Sequence, residues 1–294
     1  MFDTHLHLKR LHEGKEKSVD KATKKIVPFD THTHCRHSHD SQEEPRDMIE
    51  KAIAMGMDYI AFTDHFDGEL TLLPQFDYIP QIQLKKHFDE IENLKEFYKN
   101  KIFVGVGVEC GYMKEANELY MTKLSPYSTD IVINSIHTIE YEDCYMPSYF
   151  EKRSKEQAYG AYLKAVRESL DCPYHYDSVG HIGYVVRKSI YENKSLEYKD
   201  FADIIDDILK TIIAKGKALE INSQSKGTGL DFLPSTEILL RYKELGGELL
   251  TFGSDTHTCE RLGEKFSLVA EWLKANGFKN LFKYISHKPV AVKL

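Results

Sequence analysis

The chain has 294 residues, of which 41% are hydrophobic and 29% charged, and its formal net charge is −7. This is the composition of a globular protein, and the acidic balance argues against a protein whose main task is to hold nucleic-acid phosphates. No run approaches the roughly 18–20 apolar residues of a membrane span. The five cysteines are scattered and form no CxxC pair, which favours a reducing, cytoplasmic setting over a disulfide scaffold.

The first 28 residues differ from the rest of the chain. They carry seven basic and four acidic side chains, and residues 9–25 show few apolar positions and no helical or strand period. We therefore expect residues 1–28 to form a flexible extension and residues 29–294 to form a single folded domain. The pattern Phe2–His7 is echoed by Phe29–His34, but only the second copy precedes a long, coherent domain.

From residue 26 onwards, short apolar runs rich in Val, Ile and Phe alternate with longer amphipathic stretches. Seven runs are predicted to be strands: Ile26–Thr31, Tyr59–Thr63, Ile102–Val108, Ile131–Ser135, Ser178–His181, Ala218–Ile221 and Leu249–Gly253. Five stretches are predicted to be helices: Pro45–Met55, Leu84–Lys99, Glu156–Leu170, Asp200–Lys215 and Ser235–Leu245. This repetition predicts an α/β fold with a parallel sheet closed into a barrel. Tyr284–Leu294 is only a weak candidate for an eighth strand, so we expect seven.

Each predicted strand ends in a histidine or a carboxylate. In a barrel of parallel strands the C-terminal strand ends meet on one face, and burying so many ionisable groups together would be costly without compensation. Divalent metal ions remove that cost, and imidazole and carboxylate groups suit Zn²⁺, Mn²⁺ and Fe²⁺. His32 and His34 can bind one ion together, because residues i and i+2 of an extended segment point to the same side. The pattern therefore predicts a site for several metal ions at this face.

The same residues resemble the motifs of the polymerase-and-histidinol-phosphatase (PHP) family, in family order and over residues 29–257. The matching motifs are Asp30-Thr31-His32-Thr33-His34 with Asp40, Thr63-Asp64-His65, Glu109, His137, His181 and Asp255-Thr256-His257. The Thr-Asp-His motif, the chain length and Gly180-His181 followed by Arg187 look most like the family's monofunctional histidinol-phosphate phosphatases.

The resemblance implies a distorted (β/α)7 barrel with two to three divalent ions (Zn, Mn or Fe) at the C-terminal strand ends. His32, His34, Glu109 and Asp255 would hold the first ion, Glu109 would bridge to a second completed by His137 and His181, and Asp40, His65 and His257 would hold a third. The implied activity is the hydrolysis of a phosphate monoester, most of all histidinol phosphate of histidine biosynthesis, with inorganic phosphate as product. Water activated to hydroxide by the metal ions would attack phosphorus in line with the ester oxygen.

Glu109, Asp255 and Arg187 are the expected catalytic residues. Arg187 is also the first candidate for binding phosphate, because a guanidinium binds phosphate through two hydrogen bonds. Arg36, His37 and Lys226 are further candidates. Glu220 and Asn222 could either support metal ligands or be structural. Four histidines fit no motif and are expected to be ordinary surface residues: His12, His87, His175 and His287.

Other functions remain open. A PHP phosphoesterase could act on a nucleotide, a 5′-phosphorylated oligonucleotide or phosphotyrosine, although the acidic chain disfavours nucleic acid as a partner. An amidohydrolase-type hydrolase also uses a barrel and an HxH strand end, but Glu109 and the Asp-Thr-His motif favour the phosphoesterase. A non-catalytic binding module would be marked by lost ligands, whereas all nine ligand positions are filled.

Overall fold

The computed structural model describes residues 26–224 and 230–294. Nearly all of the predicted extension, together with Lys226, lies outside the described residues. The strands are β1 (Phe29–Thr33), β2 (Tyr59–Phe62), β3 (His65–Phe66), β4 (Phe103–Gly111), β5 (Ile131–Ser135), β6 (Thr138–Ile139), β7 (Glu142–Asp143), β8 (Ser178–Val179), β9 (Ala218–Asn222), β10 (Leu250–Gly253), β11 (Asn280–Ile285) and β12 (Lys288–Lys293).

Seven of these strands form a parallel sheet in the order β1-β2-β4-β5-β8-β9-β10, and short β3 pairs with the second half of β4. The sheet nearly closes, because the Asp255 amide donates to the His32 carbonyl at 2.8 Å and the His34 amide donates to the Thr256 carbonyl at 2.9 Å. The predicted α/β barrel of seven parallel strands is confirmed. β1, β2, β5, β9 and β10 are buried along their whole length, as expected for parallel strands covered on both faces.

A buried carboxylate joins the two ends of the sheet. Asp30 of β1 accepts hydrogen bonds from the amides of Ser254 at 2.9 Å and Gly263 at 3.0 Å. Burial raises the pKa of Asp30 to about 6, against the effect of these hydrogen bonds. β1 and the segment that follows β10 are therefore held together by Asp30.

Helices surround the sheet at α1 (Pro45–Ala54), α2 (Leu84–Tyr98), α3 (Asn117–Leu124), α4 (Pro147–Glu151), α5 (Lys155–Ser169), α6 (Ala202–Ala214), α7 (Thr236–Glu244) and α8 (Phe266–Ala275). α1 begins with a proline in its first turn, and α5 begins with a capping box between Ser154 and Gln157, both common helix starts. The five predicted helices are confirmed to within two residues at each end. α3, α4 and α8 were not predicted. No helix of the described segments is long and apolar enough to cross a membrane.

The C-terminal segment forms a hairpin instead of an eighth barrel strand. β11 and β12 pair antiparallel with each other, and the Tyr59 hydroxyl of β2 donates to the Tyr284 carbonyl at 2.8 Å. The hairpin turn is formed by Ser286 and His287, both with positive φ. The hairpin therefore packs against the barrel from outside and leaves the seven-stranded sheet unchanged.

Candidate metal centre

His32 of β1 and His34, which follows the strand directly, enter the site side by side. His32 Nε2 lies 3.3 Å from Glu109 Oε2, and His34 Nε2 lies 3.2 Å from Asp255 Oδ1. Both imidazoles are fully buried. The pairing of β1 with β2 shifts register between Asp30 and Thr33, and such irregularities often redirect side chains at functional sites.

Glu109 occupies the centre of the cluster. Its Oε2 atom lies 3.1 Å from His65 Nδ1, and its Oε1 atom lies 2.7 Å from His181 Nε2 and 3.4 Å from His137 Nε2. Glu109 is directly opposite His65 in the β3–β4 register. One carboxylate therefore contacts histidines from several strands of the barrel.

A third group lies closer to solvent. His257 Nε2 is 3.0 Å from Asp40 Oδ2, and His65 Nε2 is 3.7 Å from the same oxygen. The ring of His34 stacks between those of His65 and His257, with centroid distances of 4.3 and 4.2 Å. The side chain of Asp40 is 41% exposed. The structure thus brings all nine sequence-predicted ligand residues into one cluster.

Several donor atoms in this cluster make no hydrogen bond with one another and are free to bind metal ions. His32 Nε2, His34 Nε2 and Glu109 Oε2 are buried and have no hydrogen-bond partner among the described residues. Buried polar atoms are otherwise almost always hydrogen-bonded. Three groupings within the cluster place one donor atom from each residue within 4.8 Å of the others: His32–His34–Asp255, His65–Glu109–His137 and His34–His65–His257. Nitrogen and carboxylate donors that converge in this way fit divalent transition metals.

A second layer of carboxylates orients the histidines. Glu220 Oε1 lies 2.6 Å from His32 Nδ1, and Glu220 Oε2 accepts from the His181 amide at 2.7 Å. The hydroxyl of Ser38 lies 3.0 Å from His34 Nδ1 and donates to Asp64 at 2.7 Å. Such partners fix which ring nitrogen faces the metal. The sequence left open whether Glu220 supports metal ligands or has a structural role. Its contacts with His32 and His181 agree with the support of metal ligands.

The electrostatics of the cluster favour bound cations. Burial opposes the charged form of His137, but Glu109 and Asp67 outweigh it and raise its pKa to about 10. Burial and the neighbouring His257 and His65 lower the pKa of His34 to about 4. Burial works against ionisation of Glu109 as well, yet the surrounding histidines hold its pKa well below its usual range. The negative charge of Glu109 is thus retained at the centre of the cluster.

Two of the candidate ligands have unusual backbone conformations. Asp255 has a φ of +51° and His181 a φ of +22°, a region that residues other than glycine seldom adopt and that costs on the order of 1–3 kcal/mol. The two side chains reach the cluster from the ends of β10 and β8. Such strain is typical of positions that a functional site requires.

Arg187 lies at the edge of the cluster. Its Nη1 atom is 3.2 Å from Asp255 Oδ2, and its Nη2 atom donates to Asn222 Oδ1 at 2.8 Å. The guanidinium also lies over the ring of Tyr184, with its carbon 5.0 Å from the ring centroid. Arg187 lines a cleft of about 430 Å³ together with Glu109, His137, His181 and Asp255.

Arg36 and His37 lie elsewhere. The Arg36 guanidinium pairs with Glu44 and Glu90, at 2.7 Å in each case, and His37 Nε2 lies 2.8 Å from Glu90. Neither residue lines the cleft, because the chain after His34 turns them toward α2. The expectation that they bind phosphate is therefore corrected, and Lys226 lies outside the described residues.

Sequence reasoning missed two acidic residues of the cleft. Asp67 Oδ1 lies 3.3 Å from His137 Nδ1, and Glu69, which is fully buried, accepts from the Tyr120 hydroxyl at 2.8 Å. Burial and Asp67 raise the pKa of Glu69 well above its usual value. Asp67, Glu69 and His137 form a further grouping of possible metal donors. The only signal was that both acids follow the Thr63-Asp64-His65 motif closely.

His87 also differs from its predicted surface position. It is fully buried, its Nε2 lies 2.9 Å from the Gly107 carbonyl oxygen, and its Nδ1 lies 3.1 Å from Asp64 Oδ2. The prediction was wrong because an isolated histidine on α2 gives no indication of the buried carboxylate opposite it.

A seven-stranded parallel barrel with a buried cluster of imidazoles and carboxylates at its C-terminal strand ends defines a protein that holds divalent metal ions. The PHP domain family model matches residues 30–224, two thirds of the chain, and the chain belongs to this family. The resemblance seen in the sequence motifs is thereby confirmed.

Individual relatives agree with this assignment. The chain is 33% identical to a histidinol-phosphatase from Lactococcus lactis, over 83% of this chain and 89% of the relative. It is 29% identical to a probable histidinol-phosphatase from Clostridium acetobutylicum, over 80% and 89% of the two chains.

Among solved structures, the chain resembles the Lactococcus lactis histidinol phosphate phosphatase in complex with zinc, L-histidinol and phosphate. The TM-score is 0.80 and the identity 30%, with 90% of this chain and 100% of that chain covered. A putative histidinol phosphatase from Listeria monocytogenes shares the fold, with a TM-score of 0.67 and 20% identity over 81% and 98% of the chains.

Proposed function

We propose that this protein hydrolyses phosphate monoesters and that its substrate is histidinol phosphate, which it converts to histidinol and inorganic phosphate. The observation that carries the proposal is the complete cluster of nine convergent ligand side chains. The 33% identity to a histidinol-phosphatase over most of both chains supports the choice of substrate. The five cysteines, all free thiols, suit a reducing cytoplasm, where we place the enzyme.

We assign two to three divalent ions, Zn, Mn or Fe, to the cluster. His32, His34, Glu109 and Asp255 would hold one ion, Glu109 with His137 and His181 a second, and Asp40, His65 and His257 a third. Ions bound here supply positive charge for the phosphoryl oxygens and lower the pKa of water. Asp67 and Glu69 adjoin the second of these groups through Nδ1 of His137.

Arg187 is positioned to bind the phosphoryl group. Its terminal nitrogens are held at the edge of the cleft by Asp255 and Asn222, and a guanidinium stabilises charge that develops on phosphoryl oxygens. Asp255 holds Arg187 in place and is itself one of the nine cluster residues. The phosphoryl group would thus bind between Arg187 and the centre of the cluster.

The remainder of the cleft suits a cationic, aromatic alcohol. Histidinol carries an ammonium group and an imidazole, and the cleft is lined by the carboxylates of Asp67 and Asp143. The rings of Tyr145 and Tyr184 stack with centroids 5.6 Å apart in the same wall. A carboxylate attracts the ammonium group, and an aromatic ring can pack against the imidazole.

The test is phosphate release from a panel of monoesters by protein loaded with Mn²⁺, Zn²⁺ or Fe²⁺. The panel contains histidinol phosphate, nucleotides, sugar phosphates, phosphotyrosine and a short 5′-phosphorylated oligonucleotide. We expect the highest kcat/KM for histidinol phosphate. A higher value for another ester would keep the phosphatase and reject the substrate, and no release from any ester by protein with its metal ions bound would reject the phosphatase.

A further inference from the structure

A separate group of possible metal ligands lies at the opposite end of the barrel from the cleft. His175 and Asp177 precede β8, whereas His181 of the cleft follows that strand. His287 joins them from the turn between β11 and β12. This is the N-terminal face of the parallel strands, which in barrels of this kind serves stability and not catalysis.

The three side chains converge on one carboxylate. His175 Nε2 lies 2.9 Å from Asp177 Oδ1, and His287 Nδ1 lies 2.9 Å from Asp177 Oδ2. The two rings are 4.4 Å apart between centroids and inclined at 71°. Each residue offers a donor atom within 4.8 Å of the other two. This spacing allows one ion to contact all three.

Neighbouring groups hold these donors in position. Asp177 is almost fully buried, and its Oδ2 atom also accepts from the Val132 amide at 2.8 Å. The hydroxyl of Thr129 lies 3.0 Å from Nε2 of His287, the ring nitrogen that faces away from Asp177. Histidine ligands of metal ions commonly have their second nitrogen hydrogen-bonded in this way.

The hairpin turn that supplies His287 is also fixed to this face. Ser286 and His287 have φ values of +48° and +63°, and two-residue turns of this type favour Asn-Gly and similar pairs. Their amides donate to Asp130, to the side-chain Oδ1 and the carbonyl respectively, each at 2.9 Å. A Ser-His pair has no preference of its own for this turn, so its contacts with the barrel select the conformation.

We propose that His175, Asp177 and His287 bind one divalent ion of the zinc class, with water at the remaining positions, and that this ion fastens the C-terminal hairpin to the barrel. Two imidazoles and a carboxylate form a donor set typical of Zn²⁺. Two of the ligands come from the approach to β8 and the third from more than a hundred residues later in the chain. An ion that binds only when these segments meet stabilises the folded state. The site is independent of the proposed phosphatase activity.

The experiment compares the full-length protein with its His175→Ala variant, both saturated with Zn²⁺ and freed of excess. The His175 side chain is 54% exposed, so its removal leaves the core intact. We expect the variant to contain one zinc ion fewer per chain, to lose part of the zinc-dependent rise in melting temperature, and to keep the turnover of the unaltered protein. Thr129→Val, which removes a hydrogen bond to His287 but no ligand, should keep the full zinc content at saturation.

An equal zinc content in the unaltered and His175→Ala proteins would overturn the proposal and leave a hydrogen-bonded cluster only. A second measurement needs no variant. Crystals of the unaltered protein grown with Zn²⁺ should show anomalous scattering at the zinc edge between His175 and His287. Anomalous peaks confined to the cleft would likewise overturn the proposal.

Discussion

Glu109 contacts five histidines of the cluster, and its removal should affect more than one metal ion. Its two oxygens contact different histidines, His32 and His65 on one side and His137 and His181 on the other. Glu109→Gln keeps the shape of the side chain but replaces one carboxylate oxygen by an NH2 group, which cannot bind a metal ion. Since losing even an outer partner of a metal ligand costs about 10–100-fold, kcat should fall by more than about 100-fold and the bound metal by more than one ion.

The matched control is Glu118→Gln, the same change on the exposed side of α3. It should keep full metal content and turnover. Metal analysis by mass spectrometry and phosphate release measured on the same samples provide the comparison. Full metal content together with unaltered turnover in Glu109→Gln would contradict the shared-ligand assignment.

Arg187 should contribute to phosphate binding through its geometry more than through its charge. Arg187→Lys keeps the charge but loses the fork that contacts Asp255 and Asn222. Because a single lost donor to a developing oxyanion costs about 100-fold or more, we expect a fall of that size in kcat/KM. Inhibition by inorganic phosphate should weaken in parallel. An unchanged inhibition constant for phosphate in the variant would show that Arg187 does not bind the phosphoryl group.

Among single residues, the sequence predicted those whose role is visible from neighbouring positions in the chain. His32 with His34, and Asp255 with His257, are identifiable because two metal-ligand types stand at a fixed short spacing after a strand. Glu69 and His87 were not predictable in the same way. Their roles depend on a buried partner, Tyr120 for one and Asp64 for the other, that only the folded chain brings close.

The loop after β1 is organised by a single buried carboxylate. Asp64 accepts from the amides of Cys35 and Ser38 at 2.8 and 3.1 Å, and its other oxygen lies 3.1 Å from His87. Asp64→Ala would leave these three groups buried without a partner, which costs about 1–3 kcal/mol for each group and therefore about 3 kcal/mol or more in total. We expect a loss of that size in the free energy of unfolding, with weaker metal binding at His34, whose Nδ1 partner Ser38 donates to Asp64.

Asp58→Ala is the control for this prediction. Asp58 lies just before β2, is half-exposed and pairs with Lys283 at 2.8 Å, a surface contact worth up to about 1 kcal/mol. Denaturant unfolding of both variants measures the difference. Equal losses in the two variants would show that Asp64 does not organise the loop.

The barrel strands were predictable as elements because buried parallel strands appear as short runs of Val, Ile and Phe between helices. Ile131–Ser135 was predicted with its observed ends. The hairpin of β11 and β12 was not predicted. The exposed positions of Lys288–Lys293 give it little apolar patterning, and its turn is selected by contacts with Asp130 instead of by Gly or Asn.

For the molecule as a whole, metal uptake should be coupled to proton release. The pKa of His137 is raised to about 10 in the metal-free protein, so its imidazole is protonated near neutral pH. Ligation requires the neutral imidazole. Binding should therefore release protons near neutral pH and tighten as the pH rises toward 10. Calorimetry in two buffers of different ionisation enthalpy measures this release, and identical heats in both buffers would contradict it.

The first 28 residues should be dispensable for catalysis. All nine ligand residues lie after residue 28, and the barrel begins with β1 at Phe29. A chain that begins at Phe29 should therefore keep the turnover and metal content of the full chain. Loss of activity in that shortened chain, with the metal content retained, would instead assign the extension a part in the reaction.

The most direct test of the account is a titration of metal-free protein with Mn²⁺, Zn²⁺ or Fe²⁺, with phosphate release from histidinol phosphate as the readout. We predict no turnover without metal and a rise to a plateau as the cluster fills. His175→Ala should reach the same plateau, since its site lies at the other end of the barrel. Metal-free protein that turns over histidinol phosphate as fast as the reloaded protein would contradict the account.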